Sequence, residues 1–392
     1  MEFPDSLNAD LATQLDELDA ANLRRVRRIA DTPCGPEIVV DGVSILAFAS
    51  NDYLGLANHP ELIAATQAGA ARWGTGAGAA HLVSGHSTVH EALETRLAAF
   101  TGMQAALTFS TGYMANIAVM PALLSRGDEI FADKLNHASL IDGALLARAE
   151  LHRYPHGDVA ALARLLEHST ARRKLIVTDS VFSMDGNIAP LAELLALAER
   201  YDTWLLVDDA HGFGMLGPRG RGALAGAGLQ SSRLILMGTL GKAAGVAGAF
   251  VAGTQTLIHW LMQKSRAYIF TTAAPPMLAC ALLTAIDLIE QGDARRAHVA
   301  ALVEHLKSHL ALDRWKLLPS RTAIQPVVIG DNAEAIAVAR SLFDGGIWVP
   351  AIRPPTVPKG TARLRISLTA AHTFAQVERL AQALNNLEKP CL

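Results

Sequence analysis

This 392-residue sequence predicts an α/β protein, with a mostly parallel seven-stranded sheet in a large domain and a smaller α/β domain at the C-terminal end. Three observations carry that expectation. Short apolar runs recur at Ala105–Phe109, Glu129–Ala132, Glu150–Arg153, Lys174–Thr178, Trp204–Val207, Leu234–Met237 and Ala249–Ala252, with helical stretches between most of them. That is the pattern of strands buried on both faces beneath crossover helices. The last two runs are joined by a short glycine-rich link that cannot hold a crossover helix, so one strand is expected to run antiparallel. Near Ala323 a second pattern begins: strand Ala323–Ile329, helix Ala333–Phe343, strand Ile347–Pro350, strand Arg363–Ser367 and helix Thr373–Leu387.

Ahead of the sheet, Leu7, Leu11, Leu15, Leu18, Leu23 and Val26 recur at helical spacing and predict one helix over residues 5–30, ending in Arg24, Arg25, Arg27 and Arg28. Pro33, Gly35 and Pro36 break it. A β pair, Glu37–Val40 and Ser44–Phe48, is expected around Asp41-Gly42. Helices follow over Pro60–Trp73 and residues 88–100, separated by a Gly/Ala-rich run at 74–80 that no strand precedes, so it is not a dinucleotide fingerprint. Long helices fill residues 255–312. The expected division is 1–50 (helix and β pair), 51–300 (large domain) and 301–392 (small domain).

Half the residues are apolar and the net charge is −3, so nucleic acid and anionic membranes are not expected partners. Cys34, Cys280 and Cys391 are scattered, with no metal spacing, which suits a reducing, cytoplasmic location. The segment Met1–Asp5 has no signal-peptide character, and no apolar run reaches membrane-spanning length.

In an open α/β sheet, ligands bind outside the carboxyl ends of the strands. The residues that follow each run are therefore the candidates. Ser110-Thr111-Gly112-Tyr113 opens a helix and offers backbone amides to an anion. His137 sits in a loop after the second run and can stack on a ring or merely support the loop. Asp179 and Ser183 follow the fourth run. Asp208 ends the fifth, with His211 three residues on. A buried carboxylate needs a partner, either a cationic ring nitrogen or a metal shared with His211, His137 and Asp179. Thr239 and Lys242 follow the sixth run. Of eight lysines, Lys242 is the one in an uncharged, small-residue setting at a strand end. A lysine there can form a Schiff base with a carbonyl, or bind phosphate. Together the set describes a pyridoxal phosphate site, with the metal site its rival on residue types alone.

The segments Ser50–Leu56, Asp133–Ser139, Val181–Gly186, Val207–Gly212 and Thr239–Lys242 resemble, in order and over almost the whole chain, the α-oxoamine synthases, which are fold-type I pyridoxal phosphate enzymes. The segment Ala351–Pro358, followed by Leu364–His372, most resembles members that join L-alanine to a pimeloyl thioester, carried on coenzyme A or acyl carrier protein, in biotin synthesis. The sister activity joining glycine to acetyl-CoA is the alternative. The resemblance implies a homodimer and these roles. Lys242 holds the cofactor covalently and acts as base. Asp208 pairs with the ring nitrogen, and His211 and Ser183 lie near the ring hydroxyl. His137 stacks on the ring and meets the substrate. Gly112, Tyr113 and Thr239 hold cofactor groups, chiefly the phosphate. Arg353 takes the amino-acid carboxylate, while Arg24 and Thr356 meet the acyl substrate. Thr271 or Thr272 would reach the neighbouring subunit's phosphate. No metal is expected. Three positions depart from the family pattern: Asp179 stands where Glu is expected, His86 where an aromatic is expected, and the run around Gly76 is unusually rich in alanine.

Overall fold

The computed structural model describes residues 6–389, which form two compact units: residues 51–183 with 187–299, and residues 6–50 with 184–186 and 300–389. In the second of these, helix Ser6–Ala20 is shorter than the 5–30 helix expected, whose first residue lies outside the described residues. It stops because Asn22 turns left-handed (φ 56°) and Leu23 N–H bonds back to Leu18 C=O at 2.8 Å, a Schellman-type ending. Leu23 and the arginine cluster therefore leave the helix, and Leu7, Leu11, Leu15 and Leu18 lie exposed.

The expected β pair is present as β1 (Glu37–Val40) and β2 (Val43–Ala47), antiparallel with Val40 opposite Val43. Asp41 and Gly42 both take positive φ (51° and 77°), as a two-residue hairpin turn requires.

The other unit holds β3 (Ala105–Phe109), β4 (Glu129–Asp133), β5 (Glu150–Tyr154), β6 (Lys174–Asp179), β7 (Trp204–Asp208), β8 (Leu234–Thr239) and β9 (Ala249–Gly253). They make one seven-stranded sheet in the order β3-β9-β8-β7-β6-β4-β5. β9 runs antiparallel to both β3 and β8, and the remaining pairs are parallel. The central strands are buried along all but an end residue, and Leu107, Val119, Ile130, Leu175, Leu206, Ile235 and Val251 lie in the main core. The edge strand β5 instead exposes Glu150 and Arg153, charges that keep an edge from pairing with another chain.

The C-terminal residues add β10 (Lys316–Leu317), β11 (Ile324–Gly330), β12 (Ile347–Trp348), β13 (Ala351–Ile352) and β14 (Ala362–Ser367). The sheet order is β10-β11-β14-β13. The single strand expected over Ile347–Pro350 is divided: β12 pairs in parallel with β2, and β13 pairs antiparallel with β14. Pro350, which has no N–H to donate, lies at the break. The closing helix, Phe374–Glu388, is started by a capping box between Thr373 and Gln376. No helix among the described residues is long and apolar enough to cross a membrane.

Candidate functional site

Asp179 on β6 lies opposite Asp208 on β7, and Asp208 lies opposite Met237 on β8. This register brings the residues after three parallel strands to one sheet edge. Lys242 follows β8 in a tight turn in which Leu240 N–H bonds to Gly248 C=O at 2.8 Å and Gly245 N–H to Lys242 C=O at 2.9 Å. Its Nζ stands 2.9 Å from His211 Nε2. The far side of that ring meets the Tyr53 hydroxyl, 2.6 Å from Nδ1, and Tyr53 donates to Asn51 Oδ1 at 3.1 Å. A tyrosine oxygen whose proton goes to Asn51 accepts from Nδ1–H, which leaves Nε2 to face the lysine amine as an acceptor.

Asp208 is buried. Its Oδ1 accepts from Ala210 N–H at 2.9 Å and its Oδ2 from the Asn116 amide at 2.7 Å. The same Asn116 nitrogen lies 2.8 Å from Ser139 Oγ, and Ser139 Oγ lies 2.8 Å from His137 Nδ1. His137 caps helix Ala138–Ala147, and the Ser139 N–H also donates to its Nδ1. Its pKa is lowered, first by burial, while Asp208 pulls the other way and Lys242 adds to the depression. Asp179 is raised well above the ordinary carboxylate range by burial and by the Asp208 charge. Its Oδ2 accepts from His137 N–H at 2.8 Å, so the shorter acid still reaches the loop that carries His137.

Helix Gly112–Leu123 starts after β3, with Thr111 Oγ1 accepting from Met114 N–H at 3.1 Å. The first-turn amides of Gly112 and Tyr113 have no carbonyl within the helix to bond. The Tyr113 hydroxyl donates to Asp142. Thr239 Oγ1 donates to Gly248 C=O at 3.2 Å and lies 3.8 Å from where a Gly112 Cβ would stand, so the threonine flanks the helix start. Ser183 is half-buried and comes just before Met184–Gly186, which belong to the other compact unit.

The donor set suits pyridoxal phosphate. It offers an amine for the carbonyl, a buried carboxylate for a protonated ring nitrogen, and helix-start amides with a hydroxyl for the phosphate. The metal alternative fails on geometry: among the described residues, Asp208, His211, His137 and Asp179 do not gather their ligand atoms around one point. The unexpected His86 bonds His81 (Nδ1 to Nδ1, 2.8 Å) and Glu91 (3.1 Å). Nearby, Ala273 N–H bonds Ala79 C=O and Thr272 bridges Ala80.

In the unit that holds the C-terminal sheet, Arg24 and Arg353 line one cavity of about 690 Å³, and Arg353 and Thr356 line another of about 260 Å³. Arg353 donates to Asn22 C=O, and Arg24 pairs with Asp19. Arg363 is tied to Asp185 at 2.8 Å and to Met184 C=O at 3.1 Å, so it is spent on structure.

Asn116, Ser139 and Tyr53 had no role in the sequence reading, although Tyr53 and Ser139 each stand in one of its motifs. Asn116 sits one helical turn beyond the Gly112-Tyr113 anion site, on the side that packs toward the sheet, and that spacing was the available signal.

Beside Asp208, Asp209 is buried and held by Ser180 Oγ–H (2.5 Å) and Ala223 N–H (3.0 Å). Burial pushes its pKa up to about 7 against these donors. The folded state therefore keeps a proton that the unfolded chain releases near pH 4. The associated stability is present below that pH and is lost as pH climbs toward 7. Between pH 5 and 8 the loss is on the order of 2 to 3 kcal/mol. Urea titrations should show Asp209→Asn flattening that slope, since an asparagine can bond both Ser180 and Ala223. An unchanged slope would assign the pH dependence to other groups.

Residues 43–384 match the family model for class I and II aminotransferases. The chain is 68% identical to an 8-amino-7-oxononanoate synthase of Aromatoleum aromaticum over 98% of both chains. It is 66% identical to one of Azoarcus sp., over 96% of this chain and 97% of that one. Among solved structures it superposes on the serine palmitoyltransferase of Sphingomonas wittichii with a TM-score of 0.90, at 31% identity and 98% coverage of each chain. It superposes on an 8-amino-7-oxononanoate synthase from Francisella tularensis with a TM-score of 0.75, at 33% identity, covering 88% of this chain and 97% of that one.

Proposed function

We propose the reaction from one premise: this chain belongs to the class I and II aminotransferase family, and within it to the 8-amino-7-oxononanoate synthases. It condenses L-alanine with a pimeloyl thioester, with loss of carbon dioxide, to give 8-amino-7-oxononanoate for biotin synthesis. Its cofactor is pyridoxal phosphate. The observation that carries the reading is the Lys242 amine seated on His211, beside the buried Asp208, at the carboxyl ends of adjacent parallel strands.

Bound pyridoxal phosphate supplies an electron sink for the charge that develops at the α-carbon of alanine. Lys242 is the covalent anchor and, once free, the base that takes the α-proton. His211 accepts from the amine and is itself fixed by Tyr53, so it would orient the lysine toward the cofactor. Asp208 presents a carboxylate to the ring nitrogen and favours its protonated form. The Gly112 and Tyr113 amides with Thr239 would hold the phosphate, and Ser183 would face the ring hydroxyl. His137, kept neutral by its lowered pKa, donates a hydrogen bond to the ketone oxygen as carbon dioxide leaves. Arg353 takes the carboxylate of alanine, and Arg24 and Thr356 meet the acyl chain. The residues also support a homodimer: Leu7, Leu11, Leu15 and Leu18 leave one helix face 41–78% exposed, surface that a second copy would cover. Thr271 or Thr272 would then reach the partner's phosphate. A cytoplasmic location fits the scattered cysteines.

Purified enzyme should form product from L-alanine with pimeloyl-CoA or pimeloyl-acyl carrier protein at least about tenfold faster than from glycine with acetyl-CoA, the discrimination that a methyl and an acyl pocket can give. Faster turnover of glycine with acetyl-CoA would move the chain to the sister activity.

A further inference from the structure

Two groups assigned to the reaction, Asp208 at the end of β7 and His137 at the start of the helix after β4, are joined by two buried residues. Asn116 is completely buried, and Ser139 is 1% exposed. The Asn116 orientation is settled by its neighbour: only the NH2 group can face the Asp208 carboxylate at 2.7 Å, since the amide oxygen would be repelled there. That same NH2 donates to Ser139 Oγ at 2.8 Å. Ser139 Oγ has spent an acceptor site on Asn116, and its own proton is free to go to His137 Nδ1, 2.8 Å away. The Ser139 N–H donates to the same Nδ1 at 3.2 Å. Two donors on one nitrogen leave it no proton of its own. The Asn116 Oδ1 makes no hydrogen bond, so the amide is held by what its nitrogen donates.

We propose that Asn116 and Ser139 are a positioning pair that locks His137 as the Nε2–H tautomer, making it a hydrogen-bond donor toward the substrate, and that ties this orientation to Asp208. No covalent or proton-transfer step is assigned to either residue. Both act through their neighbours. The inference rests on the reading of His137 as a donor to the ketone oxygen, but the tautomer itself is a property of the chain.

The test uses the cofactor-free protein first. Long-range proton–nitrogen NMR of the imidazoles, assigned with His137→Asn, should show native His137 protonated at Nε2 and bare at Nδ1 at neutral pH. Ser139→Ala removes one oxygen and leaves Asn116 its bond to Asp208. With only the longer backbone N–H bond of residue 139 left on Nδ1, His137 should then gain a share of the Nδ1–H tautomer and titrate at higher pH, because the shorter of two donors that favour the neutral ring is gone. In the loaded enzyme, the same variant should lose about tenfold in kcat with little change in KM for alanine, the effect of one hydrogen bond felt during reaction rather than binding. Asn116→Ala, checked for native melting, should shift the His137 titration in the same direction. A native His137 protonated at Nδ1 overturns the proposal, as does a Ser139→Ala protein whose His137 tautomer and titration match the native ones. Should condensation itself not occur, the kinetic arm falls with the proposed reaction while the NMR arm still stands or falls alone.

Discussion

Lys242→Ala is expected to lower condensation by about four orders of magnitude or more, because it removes the covalent anchor and the base together. The side chain is half-buried, and its Nζ has a defined seat on His211. The loss should therefore be chemical, with melting behaviour close to native. Product formation measured by mass spectrometry, with pyridoxal phosphate added in excess, gives the rate. Borohydride should attach the cofactor to the native chain at Lys242 and not to the variant. Lys242→Arg separates charge from reactivity, since a guanidinium keeps the positive charge but cannot take the proton. It should be nearly as inactive as the alanine variant. Retention of activity within tenfold of native by either variant would place the anchor elsewhere.

Gly245→Ala carries the largest expected effect on stability near the site. Gly245 takes φ 69°, and an added Cβ would stand 2.6 Å from the carbonyl carbon of Leu56 and 2.7 Å from Ala57 N. These are backbone atoms, so no rotamer change relieves the clash. The strained φ and the overpacking together should cost about 3 kcal/mol. Gly74 provides the contrast: its φ is 78°, but nothing lies within 4 Å of an added Cβ. Gly74→Ala should therefore cost only about 1 kcal/mol. Chemical denaturation of the two variants distinguishes backbone strain from crowding. Equal losses would mean that the turn after Lys242 gives way without penalty. Gly245→Ala should also release cofactor more readily, because Gly245 N–H closes the turn on the Lys242 carbonyl.

Much of the large domain was legible because its strands are buried on both faces and read as continuous apolar runs, each bounded by small or polar residues. The antiparallel member could be inferred from chain length alone, since Gly241–Gly248 leaves no room for a crossover helix. The N-terminal helix was overextended because leucine spacing continues past Ala20, while the left-handed turn at Asn22 has little sequence signal. Ile347–Pro350 reads as one strand but serves two sheets, a division set by partners far away in sequence. In the candidate site, groups with distinctive chemistry such as Lys242, Asp208 and His211 could be picked out at strand ends. Asn116 and Ser139 could not, because an amide and a hydroxyl on helices are common. Their significance lies in the distances to Asp208 and His137, which only the packing of two helices on the sheet supplies.

The reversed direction of β9 has a kinetic side. The Lys242 turn is the tip of the β8–β9 hairpin, closed by contacts between neighbouring stretches of chain. His137 and Asp208 are brought in by parallel crossovers that must first gather distant segments. Loop closure over a short span costs less chain entropy, and local pairings form sooner. The lysine turn is thus the portion of the site able to assemble before the rest of the sheet. In native-state hydrogen exchange, the Leu240 and Val246 amides, bonded to Gly248 and Leu240 carbonyls, should open together with β9 as one cooperative unit.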